Sequence, residues 1–193
     1  MNKIYNQGLG HTSTTDAVCC GVSMANLYEQ KTGKVIPLES IYKWYDKIGL
    51  AYDEAKIGKS ARWGTNNPRM KKVLEALAFE PLEGMKVKSF EQIWDVRNNP
   101  TPPLMVLWSK CKIGQFVFVI RTGCKLDETA TLIPPTEIKK NTHAVALASL
   151  SEPSKRFIFE NSKGINWGEK GYGRIKLLDL PQIVTEIWEI KFA

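Results

Sequence analysis

Four residues of this chain are of types that carry out acyl transfer together: Gln7, Ser13, His143 and Asn161. Ser13 follows a glycine-bearing loop, Asn6-Gln7-Gly8-Leu9-Gly10-His11-Thr12, where the spacing predicts a helix from 13 to about 31. A helix N-terminus is the positive end of the macrodipole and favours an anionic nucleophile. A histidine can serve as base and then protonate a leaving amine. An asparagine oxygen can orient that imidazole without adding a full charge. A glutamine amide and the backbone N–H at position 13 can hold the oxyanion, a contribution on the order of 3 kcal/mol per donor. Serine is the weak member. Its hydroxyl forms no resting ion pair with an imidazole, so peptide hydrolysis is expected to be very poor or absent.

These residues need elements to hold them. In the predicted first helix Ala17, Cys20, Met24, Leu27 and Tyr28 recur at helical spacing, and Gly33 is its C-cap. Its front half is rich in small residues, which suits a central, buried helix. Cys19 and Cys20 are read as buried, inert thiols two turns into it. Pro37 opens a second helix, about 38–48, with Ile41, Trp44, Tyr45 and Ile48 on one face. Asn67 caps a third that starts with Pro68 and buries Val73, Leu74 and Leu77. Ser89 and Gln92 form a capping-box pattern for a short helix through Val96. After the break at Asn98–Pro103 the composition turns β-branched and aromatic. Strands are expected at Leu104–Trp108, Phe116–Ile120, Ala144–Leu150, Phe157–Glu160 and Ile183–Phe192. Helices first and strands second read as an α+β fold in two lobes.

The motifs around these residues resemble those of the papain-like cysteine peptidases. Gln7 lies six positions before Ser13, the distance at which that family keeps its oxyanion glutamine before the catalytic cysteine. The run Ser13 to Gly21 is similar to the small-residue helix after the nucleophile in compact bacterial members. Thr142-His143-Ala144-Val145-Ala146 resembles the family's histidine strand. Asn161–Ile175 matches the asparagine motif in its Asn-Ser, Gly, Trp-Gly-Glu, Gly-Tyr and Arg-Ile elements, at unchanged spacing. The resemblance implies one papain-like catalytic domain over 1–193, with a helical lobe at about 7–98, a β-barrel-like antiparallel lobe at about 99–193, and the cleft between them. It implies Ser13, His143, Asn161 and Gln7 as the catalytic set. More weakly, it implies Gly64 and Thr65, in Trp63-Gly64-Thr65, as the strand that pairs with substrate backbone. Three departures stand out: serine for the nucleophilic cysteine, Lys163 for the tryptophan that shields the His–Asn contact, and Gly10 for a disulfide cysteine.

Two bland readings weigh against this. A serine at a helix start with Asp16 three residues on is an ordinary cap. A histidine on an apolar strand is ordinarily a satisfied core residue; the Asn161 motif is what lifts His143. The leading expectation is a papain-like cysteine endopeptidase in an inactive Cys-to-Ser form. The alternative is a natural pseudo-peptidase that binds peptides or a protein partner in the cleft. A related Cys–His–Asn transferase or amidase comes third. Expected partners are a peptide or protein substrate and, after those, an inhibitor or self-derived peptide.

Composition bounds the rest. The 193 residues are 43% hydrophobic and 24% charged, a globular balance. The net charge of +7 is spread along the chain with no nucleic-acid motif, so nucleic acid is disfavoured. Four cysteines without a CxxC pair, and two histidines, argue against a zinc site, and no cofactor is expected. No apolar run is long enough to span a membrane. Met1–Leu9 lacks an apolar signal core, so the expected location is the cytoplasm, or a host cytoplasm for a viral or phage source.

Overall fold

The computed structural model describes residues 18–48, 68–138 and 142–193. Helix α1 (Cys19–Thr32) is followed by α2 (Leu38–Lys47), α3 (Pro68–Phe79), strand β1 (Val87–Asp95) and α4 (Leu104–Cys111). Then come β2 (Gln115–Arg121), the short β3 (Lys125–Leu126) and β4 (Leu132–Ile133), β5 (Thr142–Ser151), β6 (Arg156–Glu160) and β7 (Tyr172–Lys176). A 3-10 turn (Leu177–Asp179), α5 (Leu180–Ile183) and β8 (Val184–Phe192) complete the order. The result is the expected α+β architecture. One six-stranded sheet, in the order β1-β8-β2-β5-β6-β7, is antiparallel throughout.

The sheet is covered on both faces, and β2 shows why. Val117 and Val119 join the core beneath α1, α2 and α3, while Phe116, Phe118 and Ile120 join a second core with Trp108, Phe157 and Ile187. Two-residue periodicity thus feeds both cores from one continuous apolar run. Helix α1 lies over β5, whose short side chains Ala144 and Ala146 belong to the helical core. Small residues at that contact bring the helix backbone close to the strand that carries His143.

Helix α2 and the C-terminal end of α1 are as expected, with Gly33 closing α1 at φ 74°. Two other segments exchange types. Leu104–Trp108, expected as a strand, is the start of α4: Leu107, Trp108 and Cys111 are buried at i, i+1 and i+4, while Met105 and Val106 face out. Ser89–Val96, expected as a helix, lies largely in β1, which pairs with β8 from Val87↔Phe192 to Asp95↔Glu186. A local capping pattern lost there to sheet pairing. The sheet therefore begins before residue 99, where the strand-rich lobe was expected to start.

Candidate active site

Helix α1 begins at Cys19, with Val18 as its N-cap. The predicted start at Ser13 lies outside the described residues, as do Gln7, His11, Gly64 and Thr65. Cys19, expected two turns into the helix as an inert thiol, is instead its first residue. Val18 has no side-chain oxygen with which to cap the helix. The first-turn N–H groups therefore point toward whatever stands at the tip, which is where Cys19 is.

His143 sits at the start of β5 opposite Ile120 of β2 and is 5% exposed. Its Nε2 lies 2.7 Å from Asn161 Oδ1. The Ser162 backbone N–H donates to that same atom at 2.7 Å. A backbone N–H can only donate, so the atom is the carboxamide oxygen. The neutral imidazole must then carry its proton on Nε2 and present Nδ1 as a lone pair. Nδ1 is buried and has no hydrogen-bond partner among the described residues. Cys19 stands close enough to this ring to act on its charge.

Burial pushes the His143 imidazolium down. The hydrogen bond and charge of Cys19, with the Asn161 contact, more than offset it. Lys163 acts against them, and the net is a pKa above the ordinary histidine value. Cys19 and Asn161 thus favour the charged imidazole, and Lys163 opposes it. The remaining thiols are of another kind. None of the four cysteines forms a disulfide. Burial pushes Cys111 up to about 12 and Cys124 upward as well.

Asn161 owes its place to the turn that follows β6. Its N–H donates to Gly171 O, the Gly171 N–H to Trp167 O, and the Trp167 N–H to Gly164 O, folding the loop back on the strand end. Gly168, at φ 59°, leaves no room for a side chain, since a Cβ would lie 2.2 Å from Tyr172 O. Trp167 packs against Phe159 with ring centroids 5.8 Å apart. Gly164, Trp167, Gly168 and Gly171 therefore build the turn on which the carboxamide stands. Among the described residues no group of three or more His, Cys, Asp or Glu could hold a metal ion, and no helix is long and apolar enough to cross a membrane.

No family model and no curated protein matches the chain. Solved structures do. Xylellain, a cysteine protease from Xylella fastidiosa, superposes with a TM-score of 0.58 at 16% identity, over 100% of this chain and 83% of that one. The Carica candamarcensis cysteine protease CMS1MS2, in complex with E-64, gives 0.62 at 15%, over 99% and 93%. The digestive procathepsin L 3 of Tenebrio molitor gives 0.55 at 13%, over 98% and 66%. The fold is papain-like. Within this papain-like fold the histidine strand and the asparagine turn were legible as motifs. Cys19, read as an inert thiol inside the helix, stands at its first position, immediately ahead of Cys20-Gly21-Val22-Ser23.

Proposed function

We propose that this chain is a papain-like cysteine peptidase whose nucleophile is Cys19, with His143 as its acid and base and Asn161 as the orienting residue. The observation that carries the reading is the imidazole held by Asn161 Oδ1 beside Cys19, the first residue of α1. Ser13 is then not the nucleophile, and the chain needs no Ser-to-Cys change to be active. Gln7 stays the side-chain donor to the oxyanion, together with the Cys19 backbone N–H. Measured from Cys19, however, the six-residue spacing falls on Ser13.

The chemistry follows from the tautomer. Nδ1 accepts the Cys19 proton, giving a thiolate and an imidazolium that still donates through Nε2–H to Asn161. The thiolate attacks the peptide carbonyl carbon, and the oxygen takes the negative charge. Nδ1–H passes its proton to the departing amine as the C–N bond breaks, leaving a thioester. Water then gives a proton to Nδ1, attacks the thioester and releases the acid and the thiol.

Incubation with E-64 tests this directly, since the epoxide reacts with an activated thiol. The expected result is one adduct, on Cys19 by peptide mass spectrometry, and loss of peptide hydrolysis in proportion to it. An unmodified Cys19 in folded protein overturns the reading.

A further inference from the structure

Strand β2 ends beside the candidate site on an arginine whose inner nitrogen has no partner. Arg121 is the last residue of β2 and stands opposite Thr142, one register step from the Ile120↔His143 pair. Side chains of a strand alternate between its two faces. Val117 and Val119 lie in the core beneath α1, so Arg121, next in that row, falls on the α1 side of the sheet. Helix α1 runs against β2. Gln115, which opens the strand, donates through Nε2 to Leu27 O in the later half of the helix. Cys19, which heads the helix, stands by His143 near the other end of the strand. Arg121 is therefore at the helix-tip end, on the face that carries α1.

The guanidinium lacks an anion. Arg121 is half-buried, and its Nε is shut off from solvent with no hydrogen-bond partner among the described residues. It forms no ion pair with a carboxylate among those residues. Elsewhere in the chain, Arg97 pairs with Asp95 and Glu186, Arg174 pairs with Glu169, and the Arg156 charge acts on Asp127. A guanidinium does not shed its proton, and holding it away from water without a counter-charge is costly. Lys163, two residues past Asn161, is exposed, and its charge reaches the His143 ring. Two cations thus stand at the imidazole's end of the sheet, one from β2 and one from the asparagine turn.

We propose that Arg121 is a specificity-determining residue that takes a carboxylate of the bound peptide, so that acidic peptides are the preferred substrates of this site. The inference rests on the reading of Cys19, His143 and Asn161 as one site. A planar guanidinium binds a carboxylate through two parallel N–H···O bonds, and partial burial strengthens them. Lys163 attracts the same charge at longer range, and the net charge of +7 favours encounter with acidic chains. An Asp or Glu side chain and a free peptide C-terminus offer the same group, and the test separates them.

The test is cleavage of a library of N-acetylated synthetic peptides, offered in C-terminally amidated and free-acid forms and read by mass spectrometry. With the amidated library, wild type is expected to enrich Asp and Glu about tenfold at one position flanking the cut. Arg121→Gln should lose that enrichment whatever its overall rate, whereas a merely structural role would slow all peptides alike. Arg121→Lys, the milder change, keeps the charge without the paired N–H groups and should narrow the enrichment without abolishing it. If the terminus is the group bound, wild type instead cuts the free-acid library at a fixed distance from the C-terminus, a preference that Arg121→Gln removes. No carboxylate preference in either library overturns the proposal. So does a preference that both variants leave at the wild-type level. Failure of the peptidase reading looks different: no peptide is cleaved in a Cys19-dependent way, and the inference falls with it.

Discussion

His143 Nε2 and Asn161 Oδ1 are 2.7 Å apart, and the oxygen's second contact, with the Ser162 N–H, fixes which atom it is. That pair fixes the tautomer of the neutral ring, with the proton on Nε2 and Nδ1 left as the ring's acceptor. Replacing Asn161 with leucine orphans a buried Nε2–H. The expected cost is about 1–3 kcal/mol, a roughly ten- to hundredfold loss in kcat/KM. Asn161→Asp should retain more activity than Asn161→Leu, since it preserves an acceptor. Equal activity of the leucine variant and wild type would falsify the orienting role.

Cys19→Ala should abolish peptide hydrolysis and E-64 capture, while Ser13→Ala leaves both nearly unchanged. His143→Ala is expected to cost on the order of 10²–10⁴-fold in kcat, the range of general acid–base catalysis. Gln7→Ala should lower kcat by about 10²-fold with little change in KM, as for a lost oxyanion donor. Steady-state kinetics on a folded set of variants checks all four. A kcat loss in Ser13→Ala instead of Gln7→Ala would transfer the donor role to the position six residues ahead of Cys19.

Lys163 lowers the His143 imidazolium by its charge alone, and its side chain is exposed. Lys163→Met should therefore raise the imidazolium pKa further and move the alkaline limb of the pH–rate profile upward. Lys163→Glu should move it further in the same direction. Both shifts should shrink in high salt, because the interaction runs partly through water. Profiles that superpose on wild type at low salt would remove Lys163 from the site's electrostatics.

The sequence carried His143 and Asn161 well, because their motif fixes a backbone path. Gly164, Trp167, Gly168 and Gly171 occur at spacings that only that turn requires, and the turn ends at the carboxamide. The start of the described helix was not legible: α1 begins at Cys19 after Val18, which has no capping side chain to announce it, whereas Ser13 lies outside the described residues. The two exchanged elements failed for related reasons. The apolar run of α4 reads as β-branched and aromatic until Leu107, Trp108 and Cys111 are placed on one buried face. The Ser89–Gln92 pair imitates a capping box inside a strand that β8 holds along its whole length.

Gly168→Ala tests whether the asparagine turn is as tightly built as its contacts indicate. The left-handed backbone alone costs alanine about 1–2 kcal/mol. The clash adds to it, since a Cβ would meet the Tyr172 carbonyl oxygen at 2.2 Å. The turn has to open, and Asn161 moves with it. We expect a lower Tm and a fall in kcat/KM larger than Lys170→Ala produces in the same loop. A variant with wild-type Tm and activity would show that the turn yields without disturbing the carboxamide.

Stability should be highest on the mildly acidic side. Burial pushes both Glu160 and Glu186 from 4.5 up to about 7. Each binds its proton more tightly folded than unfolded. As pH rises from 4.5 to about 7 the unfolded chain releases protons that the folded chain keeps, and stability falls. The loss is about 3 kcal/mol per group as an order of magnitude. Asp95 runs the other way. Its hydrogen bonds from Arg97 hold it below the usual range, so its contribution is present above the unfolded pKa and lost as pH falls through the folded one. Thermal unfolding across pH should therefore show Tm declining from the mildly acidic range toward neutrality. Glu186→Gln, which keeps an acceptor for the Trp188 indole N–H, should flatten that decline. A Tm that rises over the same interval would mean that these two glutamates ionise in the folded chain as readily as in water.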